Sequence, residues 1–334
     1  MEQRTLLIGN GINRLFQGEK VTLKEAMTRG KNISWEELLA VVADRYGIAL
    51  GNNSYTPSPL VFEKILNDKV GDNKHDERIK TLKICIAQTI ANGGVKANEF
   101  HKKIMEMEAY ADILTTNYDY CLEESACPDF LKQRNNLAAN KDEYAYSLKR
   151  CYSLPGKNIW HIHGELYNTR KPAGAHYLEE SILIGFEQYC LYLEKIIENV
   201  KAKRNMPANH STADWIYKTL RQRIQDNGYK LNESPYWIDR FFASDMDIIG
   251  YSFDFSETHL WWLLSYRVRL MDEKLVDNSI RYFYPVIDGN VDTDSKDSAI
   301  RILLNSLHVE CVPVPCSDHK DFYDKFIAGK YSLI

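Results

Sequence analysis

Short runs of apolar residues recur along the chain, and turn-forming or charged residues separate them. Such runs, about four to eight residues long, are typical of β-strands buried inside a sheet. The runs that fit this description lie at residues 5–8, 111–114, 158–162, 246–250, 280–287 and 308–314. We therefore predict that these segments are the strands of one buried, mostly parallel sheet.

Apolar residues recur at helical spacing in the long segments between these runs. Ser34 precedes one such segment and Glu37 follows three residues later, which is the pattern of a helix capping box. Helical periodicity also covers 60–67, 75–92 and 97–110, and it returns between 187 and 227. These segments predict helices that alternate with the strands.

Two of the helical segments are longer than a connection between parallel strands requires, which is about a dozen residues. We therefore predict a helical cap over residues 20–110 and a second helical insertion over residues 186–245. The polar segment 120–157 predicts a helical excursion with loops. The fold class predicted for residues 1–334 is a single α/β domain, with a Rossmann-like, mostly parallel sheet and helices on both faces.

Glycines and polar residues follow four of the predicted strands. They are Gly9-Asn10-Gly11 after the first strand, Asn117 and Asp119 after the second, His163-Gly164 after the third, and Gly250 and Ser252 after the fourth. The carboxyl ends of parallel strands meet at one edge of the sheet, so these residues are expected to converge on one crevice. Closely spaced glycines let backbone N–H groups approach a phosphate, although Arg14 stands where the third glycine of a GxGxxG motif would fall.

The order of these motifs resembles that of the sirtuin-like NAD-consuming superfamily, specifically the bacterial sirtuin-like NAD hydrolases of antiphage defence. Sirtuins carry a glycine-rich first loop, a T-Q-N-I-D motif, a catalytic histidine before a glycine, and a G-T-S loop. The matching segments here are 9–11, 115–119, 163–164 and 250–252. A weaker likeness to the abortive-infection H family lies in the Ile-Gly-Asn-Gly opening at residues 8–11 and in the Ile249-Gly250 ending.

The resemblance implies an NAD glycohydrolase that cleaves the bond between nicotinamide and ribose, giving nicotinamide and ADP-ribose. NAD is then a substrate, and no cofactor is expected. The resemblance assigns His163 as the proton acceptor, a role suited to an imidazole that titrates near about 6.5, and Asn117 as the second catalytic residue. The residues expected to bind NAD are Gly9, Asn10, Gly11, Asn13, Asp119, Gly250 and Ser252. The implied biological outcome is NAD depletion during phage infection.

The cysteines and histidines do not predict a metal site. Deacetylating sirtuins hold zinc with two Cys-x-x-Cys pairs between the catalytic histidine and the G-T-S loop, whereas Cys190 is the single cysteine in that interval here. His161 and His163 point to the same face of a strand, but no nearby acidic residue or cysteine is spaced to complete a ligand set. We therefore expect no metal ion, and we expect His161 to be a packed structural residue.

Two other functions stay open at this point. An ADP-ribosyltransferase or deacylase on the same scaffold would need a groove for an acceptor, which the missing zinc module disfavours. A non-enzymatic module that binds NAD or ADP-ribose would need the glycine loop but no proton acceptor. Asn117 and Asp119 are also suited to an Asx-turn or a helix cap, and Ser252 is suited to a helix cap.

Composition and charge indicate the partners and the cellular compartment to be expected. The chain of 334 residues has a formal net charge of −4, which provides no general attraction to nucleic acid or to an anionic membrane. No run approaches the roughly 18 consecutive apolar residues of a membrane span, and the unpatterned cysteines predict a reducing cytoplasm. Because NAD hydrolysis would harm the host cell, we expect regulation by assembly, as a homo-oligomer or with a separately encoded partner protein.

Overall fold

The computed structural model describes residues 4–15, 34–51, 56–68, 74–92, 96–140, 145–166, 181–201, 218–226, 234–287 and 296–331. Three predicted segments lie partly outside these ranges. They are the helical cap (at residues 20–33, 52–55, 69–73 and 93–95), the polar segment 120–157 (at residues 141–144) and the second insertion (at residues 202–217 and 227–233).

The described residues form one mixed sheet of eight strands. In chain order these are β1 (Arg4–Ile8), β2 (Tyr110–Thr115), β3 (Ala138–Ala139), β4 (Cys151–Leu154), β5 (Lys157–His161), β6 (Met246–Ile249), β7 (Ile280–Ile287) and β8 (Val309–Cys316). Their order across the sheet is β3-β4-β5-β2-β1-β6-β7-β8. The pairs that involve β3 and β4 are antiparallel, and the other pairs are parallel. The predicted fold class, a mostly parallel Rossmann-like sheet, is confirmed.

Strand β1 lies at the point where the order of strands across the sheet reverses. The chain continues from β1 to β2 and β5 on one side, and it later returns to place β6, β7 and β8 on the other side. In open α/β sheets, ligands bind in the crevice at the carboxyl ends of the strands at such a switch point.

Continuous apolar runs form these strands because both faces of the sheet are covered. Leu6 and Ile8 of β1 face one core, which also contains Ile113 of β2. Leu7 faces the opposite core together with Leu114. Successive side chains of a strand point to opposite faces, so a strand buried on both sides needs an apolar residue at nearly every position.

Twelve α-helices lie within the described residues. They are α1 (Trp35–Arg45), α2 (Ser58–Asn67), α3 (His75–Asn92), α4 (Glu99–Glu106), α5 (Cys121–Ala126), α6 (Phe130–Leu137), α7 (Phe186–Lys201), α8 (Leu220–Gln225), α9 (Arg240–Ala243), α10 (Thr258–Asp272), α11 (Lys296–Ser306) and α12 (His319–Ile327). Helices α7, α9, α10 and α11 cover one face of the sheet, and α4, α5 and α12 cover the other. In the part of the chain that is described, no helix is both long and apolar enough to cross a membrane.

The first three helices pack around a hydrophobic core of their own. Leu39 of α1, Ile65 of α2 and Ile86 of α3 belong to it, together with Tyr118 from the loop after β2. The capping box is present, with the Ser34 hydroxyl accepting from the Glu37 amide and the Glu37 carboxylate accepting from the Ser34 amide. Helix α4 differs, because it packs on the sheet and not on the other three helices of the predicted cap.

The expectation for residues 120–157 was wrong in its second half. Helices α5 and α6 occur there, but they are followed by β3 and β4. Strand β4 pairs with β5 through a tight turn at Pro155 and Gly156, where Gly156 has φ +73°. Proline followed by a glycine of positive φ is the pattern of a type II turn. These short strands extend the sheet at its edge and are fixed by pairing, which local periodicity does not reveal.

A buried carboxylate ties together the amino ends of four adjacent strands. Asp247 of β6 is fully buried and accepts hydrogen bonds from Arg4 of β1 (Nη2 to Oδ1, 3.0 Å) and Arg281 of β7 (Nε to Oδ1, 2.8 Å). The Tyr110 hydroxyl of β2 donates to Oδ2 at 2.7 Å. Removing one partner of a buried ion pair leaves an uncompensated charge, which typically costs about 3–5 kcal/mol.

We expect the substitution Asp247→Asn to lower the free energy of unfolding by about 3 kcal/mol, because Arg4 and Arg281 lose their shared counter-charge. Asp245→Asn is the matched control, since Asp245 also bonds Arg4, at 2.7 Å, but its side chain is 42% exposed. An exposed pair contributes at most about 1 kcal/mol. Urea denaturation of the three proteins measures both values. Equal losses for the two variants would contradict the role assigned to Asp247.

Candidate functional site

A cavity of about 570 Å³ opens at the carboxyl ends of β1, β2 and β6. Its volume lies in the range of small-molecule sites, about 300–1,000 Å³. The predicted site residues that line it are Asn10, Gly11, Asn117, Asp119, His163, Gly250 and Ser252. Residues from four separate loops therefore meet at one crevice.

Gly9 lies behind the wall of this cavity and joins three loops. Its N–H donates to the Ile249 carbonyl at 3.1 Å, and its carbonyl accepts from Asn117 Nδ2 at 3.4 Å. A Cβ at this position would lie 2.5 Å from the carbonyl oxygen of Gly250. Gly9 is thus required for close packing between the loops after β1 and β6.

Gly11 also serves this packing. Its N–H donates to the Gly250 carbonyl at 2.9 Å, and a Cβ there would lie 2.8 Å from the Gly250 Cα. The amides of Gly9 and Gly11 are therefore engaged within the protein. Glycine is therefore needed at these two positions for close packing of the loops. The predicted role, in which free amides approach a phosphate, does not agree with these contacts.

Asn13 lies behind the cavity wall and organises the first loop. Its Nδ2 donates to Asp119 Oδ2 at 2.7 Å and to Asn10 Oδ1 at 3.1 Å, and its Oδ1 lies 3.0 Å from His101 Nε2. Asp119 Oδ1 accepts from the amide of Cys121, the first residue of α5, at 3.0 Å. Both carboxylate oxygens of Asp119 are therefore engaged. The bond to the Cys121 amide is the Asx-turn considered from the sequence, whereas the N-cap of α5 is Tyr120, so the alternative of Asp119 as a helix cap is wrong.

Asn117 presents an unsatisfied polar atom at the cavity wall. The residue is 7% exposed, and within the described ranges its Oδ1 is buried without a hydrogen-bond partner. A buried polar atom without a partner is costly, by about 1–3 kcal/mol. A ligand or water that donates a hydrogen bond to this oxygen would remove that cost.

His161 holds the Asn117 loop from behind and is a packed structural residue, as expected. Its Nδ1 donates to the Asn117 carbonyl at 2.8 Å, and its Nε2 donates to Glu123 Oε1 at 2.7 Å. Burial alone would lower the pKa of His161, but the Glu123 carboxylate outweighs it and raises that pKa to about 9. Both ring nitrogens act as donors, which is the state of a charged imidazolium.

His163 contacts two residues that the sequence reasoning missed. Its Nε2 lies 3.1 Å from His259 Nε2 and 3.2 Å from Glu257 Oε2. Glu257 precedes α10 and His259 lies in the first turn of that helix. The segment Ser-Glu-Thr-His at residues 256–259 follows the loop of Gly250 and Ser252, and this position could have indicated that it lies near the site. Its spacing along the chain does not predict a contact with His163.

The cavity wall around His163 carries a negative charge. Within the described part of the chain, Glu257 has no lysine or arginine partner, and its ion-pair contacts are with His163 and His259. The pKa values of Tyr118, Tyr189 and Tyr251 are raised well above the usual value. Burial is the largest cause, and the charge of Glu257 is the second. Burial lowers the pKa of His259 well below its usual value, so this imidazole is neutral.

Positive charge lies elsewhere on the cavity wall. Arg14 lines the cavity and is exposed, and it has no carboxylate partner among the described residues. Lys296 also lines the cavity but is paired with Asp254 at 2.5 Å. Arg14 is therefore available to a negatively charged ligand.

We expect the contribution of His161 to stability to depend on pH. Because its folded-state pKa, about 9, lies above an unfolded value near about 6.5, the contribution is fully present below about pH 6.5 and is lost as pH rises through about 9. The shift corresponds to an effect on the order of 3 kcal/mol. Urea denaturation of wild type and His161→Gln at about pH 6.5 and pH 10 measures it.

The difference in unfolding free energy between the two proteins is expected to shrink at the higher pH. The variant Lys132→Gln, which removes an exposed ion pair with Asp129, controls for general effects of alkaline pH. A His161→Gln effect that stays constant across this pH range would show that the imidazolium does not stabilise the fold.

Comparisons with known proteins do not identify a family for this chain. No protein-family model matches the chain, and no curated protein matches it. The resemblance to sirtuin-like hydrolases remains a prediction.

Proposed function

We propose that this protein is an NAD glycohydrolase that releases nicotinamide and ADP-ribose. The observation that carries the proposal is the meeting of His163, Glu257 and the unsatisfied oxygen of Asn117 at one cavity beside the switch point of the sheet. This arrangement combines a proton acceptor, a negative charge and a hydrogen-bond acceptor on one cavity wall.

The negative charge of the cavity wall is suited to cleavage of the bond between nicotinamide and ribose. Cleavage between nicotinamide and ribose passes through a state in which the ribose carries positive charge, as in glycoside hydrolysis. A carboxylate without a cationic partner stabilises such a charge, and it does so more strongly where water is excluded. Glu257 supplies this carboxylate, and its side chain is 13% exposed.

His163 and Asn117 act on the attacking group. Asn117 Oδ1 accepts a hydrogen bond from a ribose hydroxyl or from the attacking water, and thereby fixes its position. His163 takes up the proton, and the neighbouring Glu257 carboxylate stabilises the imidazolium that forms. The neutral His259 adds no competing positive charge.

Arg14 is the group that we assign to the diphosphate. The amides of Gly9 and Gly11 are engaged, so the negative charge of NAD needs another partner. The Arg14 guanidinium lies on the cavity wall and matches a phosphate through paired N–H donors. The residue that interrupts the GxGxxG motif thus takes part in binding.

The biological part of the proposal rests on the resemblance to antiphage NAD hydrolases. It states that the enzyme depletes cytoplasmic NAD during phage infection, and that a homo-oligomer or a separately encoded partner protein controls it.

We expect His163→Ala and Asn117→Ala each to lower nicotinamide release from NAD by at least about 100-fold, the loss typical for a removed general base or positioning group. Chromatography of the products, with circular dichroism to verify folding, measures this. His75→Gln, an exposed histidine at the start of α3, is the matched control and should retain full activity.

Other products or no product would separate the rival functions. Nicotinamide release that requires a protein acceptor indicates an ADP-ribosyltransferase or a deacylase. NAD binding without release, both alone and in extracts of phage-infected cells, indicates a binding module. Absence of NAD binding by calorimetry would remove the basis of the proposal.

We expect Arg14→Gln to raise the KM for NAD about 10-fold and to change kcat little, because a charge-assisted contact to the diphosphate is made equally in the ground state and the transition state. Steady-state kinetics at low ionic strength measure both constants. Arg269→Gln, an exposed arginine on α10 outside the cavity, is the control. An unchanged KM would assign the diphosphate to another part of the chain.

A further inference from the structure

Two groups of described residues have the composition of a metal site. One consists of His101, Asp119 and Cys121, and the other of His163, Glu257 and His259. The two groups differ in whether their ligand atoms are free.

The first group is already satisfied by hydrogen bonds. His101 Nδ1 accepts from the Asn98 amide at 3.1 Å, and its Nε2 lies 3.0 Å from Asn13 Oδ1. Both oxygens of Asp119 are engaged as well. Burial raises the pKa of the Cys121 thiol, which disfavours the thiolate that a metal requires. This group is a structural network.

The second group is not satisfied. Among the described residues, Glu257 Oε2 is buried without a hydrogen-bond partner, and it lies 3.2 Å from His163 Nε2. One proton bridges the facing Nε2 atoms of His163 and His259, whichever ring carries it, and the contact of His163 with Glu257 lacks hydrogen-bond geometry. A cation in place of that proton would interact with all three side chains together.

Two of the three distances between the ligand atoms agree with metal coordination. His163 Nε2 lies 3.1 Å from His259 Nε2 and 3.2 Å from Glu257 Oε2. Ligands of a tetrahedral Zn²⁺ ion, with bonds of about 2.0–2.1 Å, lie about 3.3 Å from one another. All three ligand atoms lie within 4.8 Å of one another.

We propose that His163, Glu257 and His259 bind one divalent transition-metal ion at the cavity wall, with Zn²⁺ as the best chemical match. Two imidazoles and one carboxylate are a ligand set that Zn²⁺ uses when a fourth position stays open. The cavity provides that open position, since His163 and Glu257 both line it. This departs from the sequence-based expectation of no metal, which considered ligands near His163 in the chain.

Metal binding by the full chain tests this proposal directly. After treatment with a chelator, the protein is titrated with Co²⁺ and followed by visible absorption, and with Zn²⁺ and followed by calorimetry. We expect one ion per chain and the intense absorption of four- or five-coordinate Co²⁺. Glu257→Gln and His259→Gln should each weaken binding at least about 10-fold, since even partners of ligands typically contribute 10–100-fold.

His75→Gln is the matched control and should bind the ion as wild type does. Circular dichroism verifies that each variant folds, and Glu257→Gln retains the test if the fully buried His259 does not tolerate substitution. No ion bound, binding unchanged in Glu257→Gln, or binding weakened equally in His75→Gln would overturn the proposal.

A consequence for activity rests on the proposed function. The ion would occupy His163 Nε2 and cancel the Glu257 charge, so Zn²⁺ should suppress nicotinamide release in proportion to the bound fraction, and a chelator should restore it. Release that continues with the ion bound would contradict this inhibition. If chelator-treated protein releases no nicotinamide but still binds Co²⁺, the metal site stands and the proposed hydrolysis fails.

Discussion

One buried carboxylate holds the central strands in register, and the candidate site depends on that register. Asp247 bonds side chains from β1, β2 and β7 at the amino ends of these strands. Parallel strands that are fixed at one end deliver their loops at defined positions at the other end. The geometry of the cavity therefore depends on an ion cluster at the amino ends of the strands. The residues that stabilise the sheet at the amino ends are thus separate from the loops that form the candidate site at the carboxyl ends.

At the carboxyl edge, the same precision is achieved by backbone packing. Gly9 donates to Ile249 and accepts from Asn117, and it has no room for a side chain beside Gly250. The loops after β1, β2 and β6 therefore meet at one residue, Gly9. Behind them the charged His161, paired with Glu123, holds the Asn117 carbonyl. Asn117 is thus positioned from two sides, which explains how its oxygen stays unsatisfied without rearrangement of the loop.

The sequence allowed prediction of those parts of the molecule that depend on local pattern. Apolar runs predicted the strands β1, β2, β5, β6, β7 and β8, and the position of Asn117 and His163 at strand ends predicted that they meet. Strands β3 and β4 were missed because short edge strands are defined by their partner, here β5. Glu257 and His259 were missed because α10 brings them to His163 from a distant part of the chain. The glycines were found correctly but for another reason, since their role in packing depends on the Gly250 loop beside them.

The contacts of His163 decide how the cavity functions. Its Nε2 lies beside a buried carboxylate oxygen of Glu257 and the imidazole of His259, so a proton or a metal ion at that point would contact all three side chains. Hydrolysis needs the proton to arrive and leave during each turnover, whereas a metal ion would stay. Because both compete for one lone pair, the two proposals describe alternative states of the same site. If the protein acts as proposed, it consumes the NAD of its own cell and needs such a silent state, which a bound cation would provide without any change of fold.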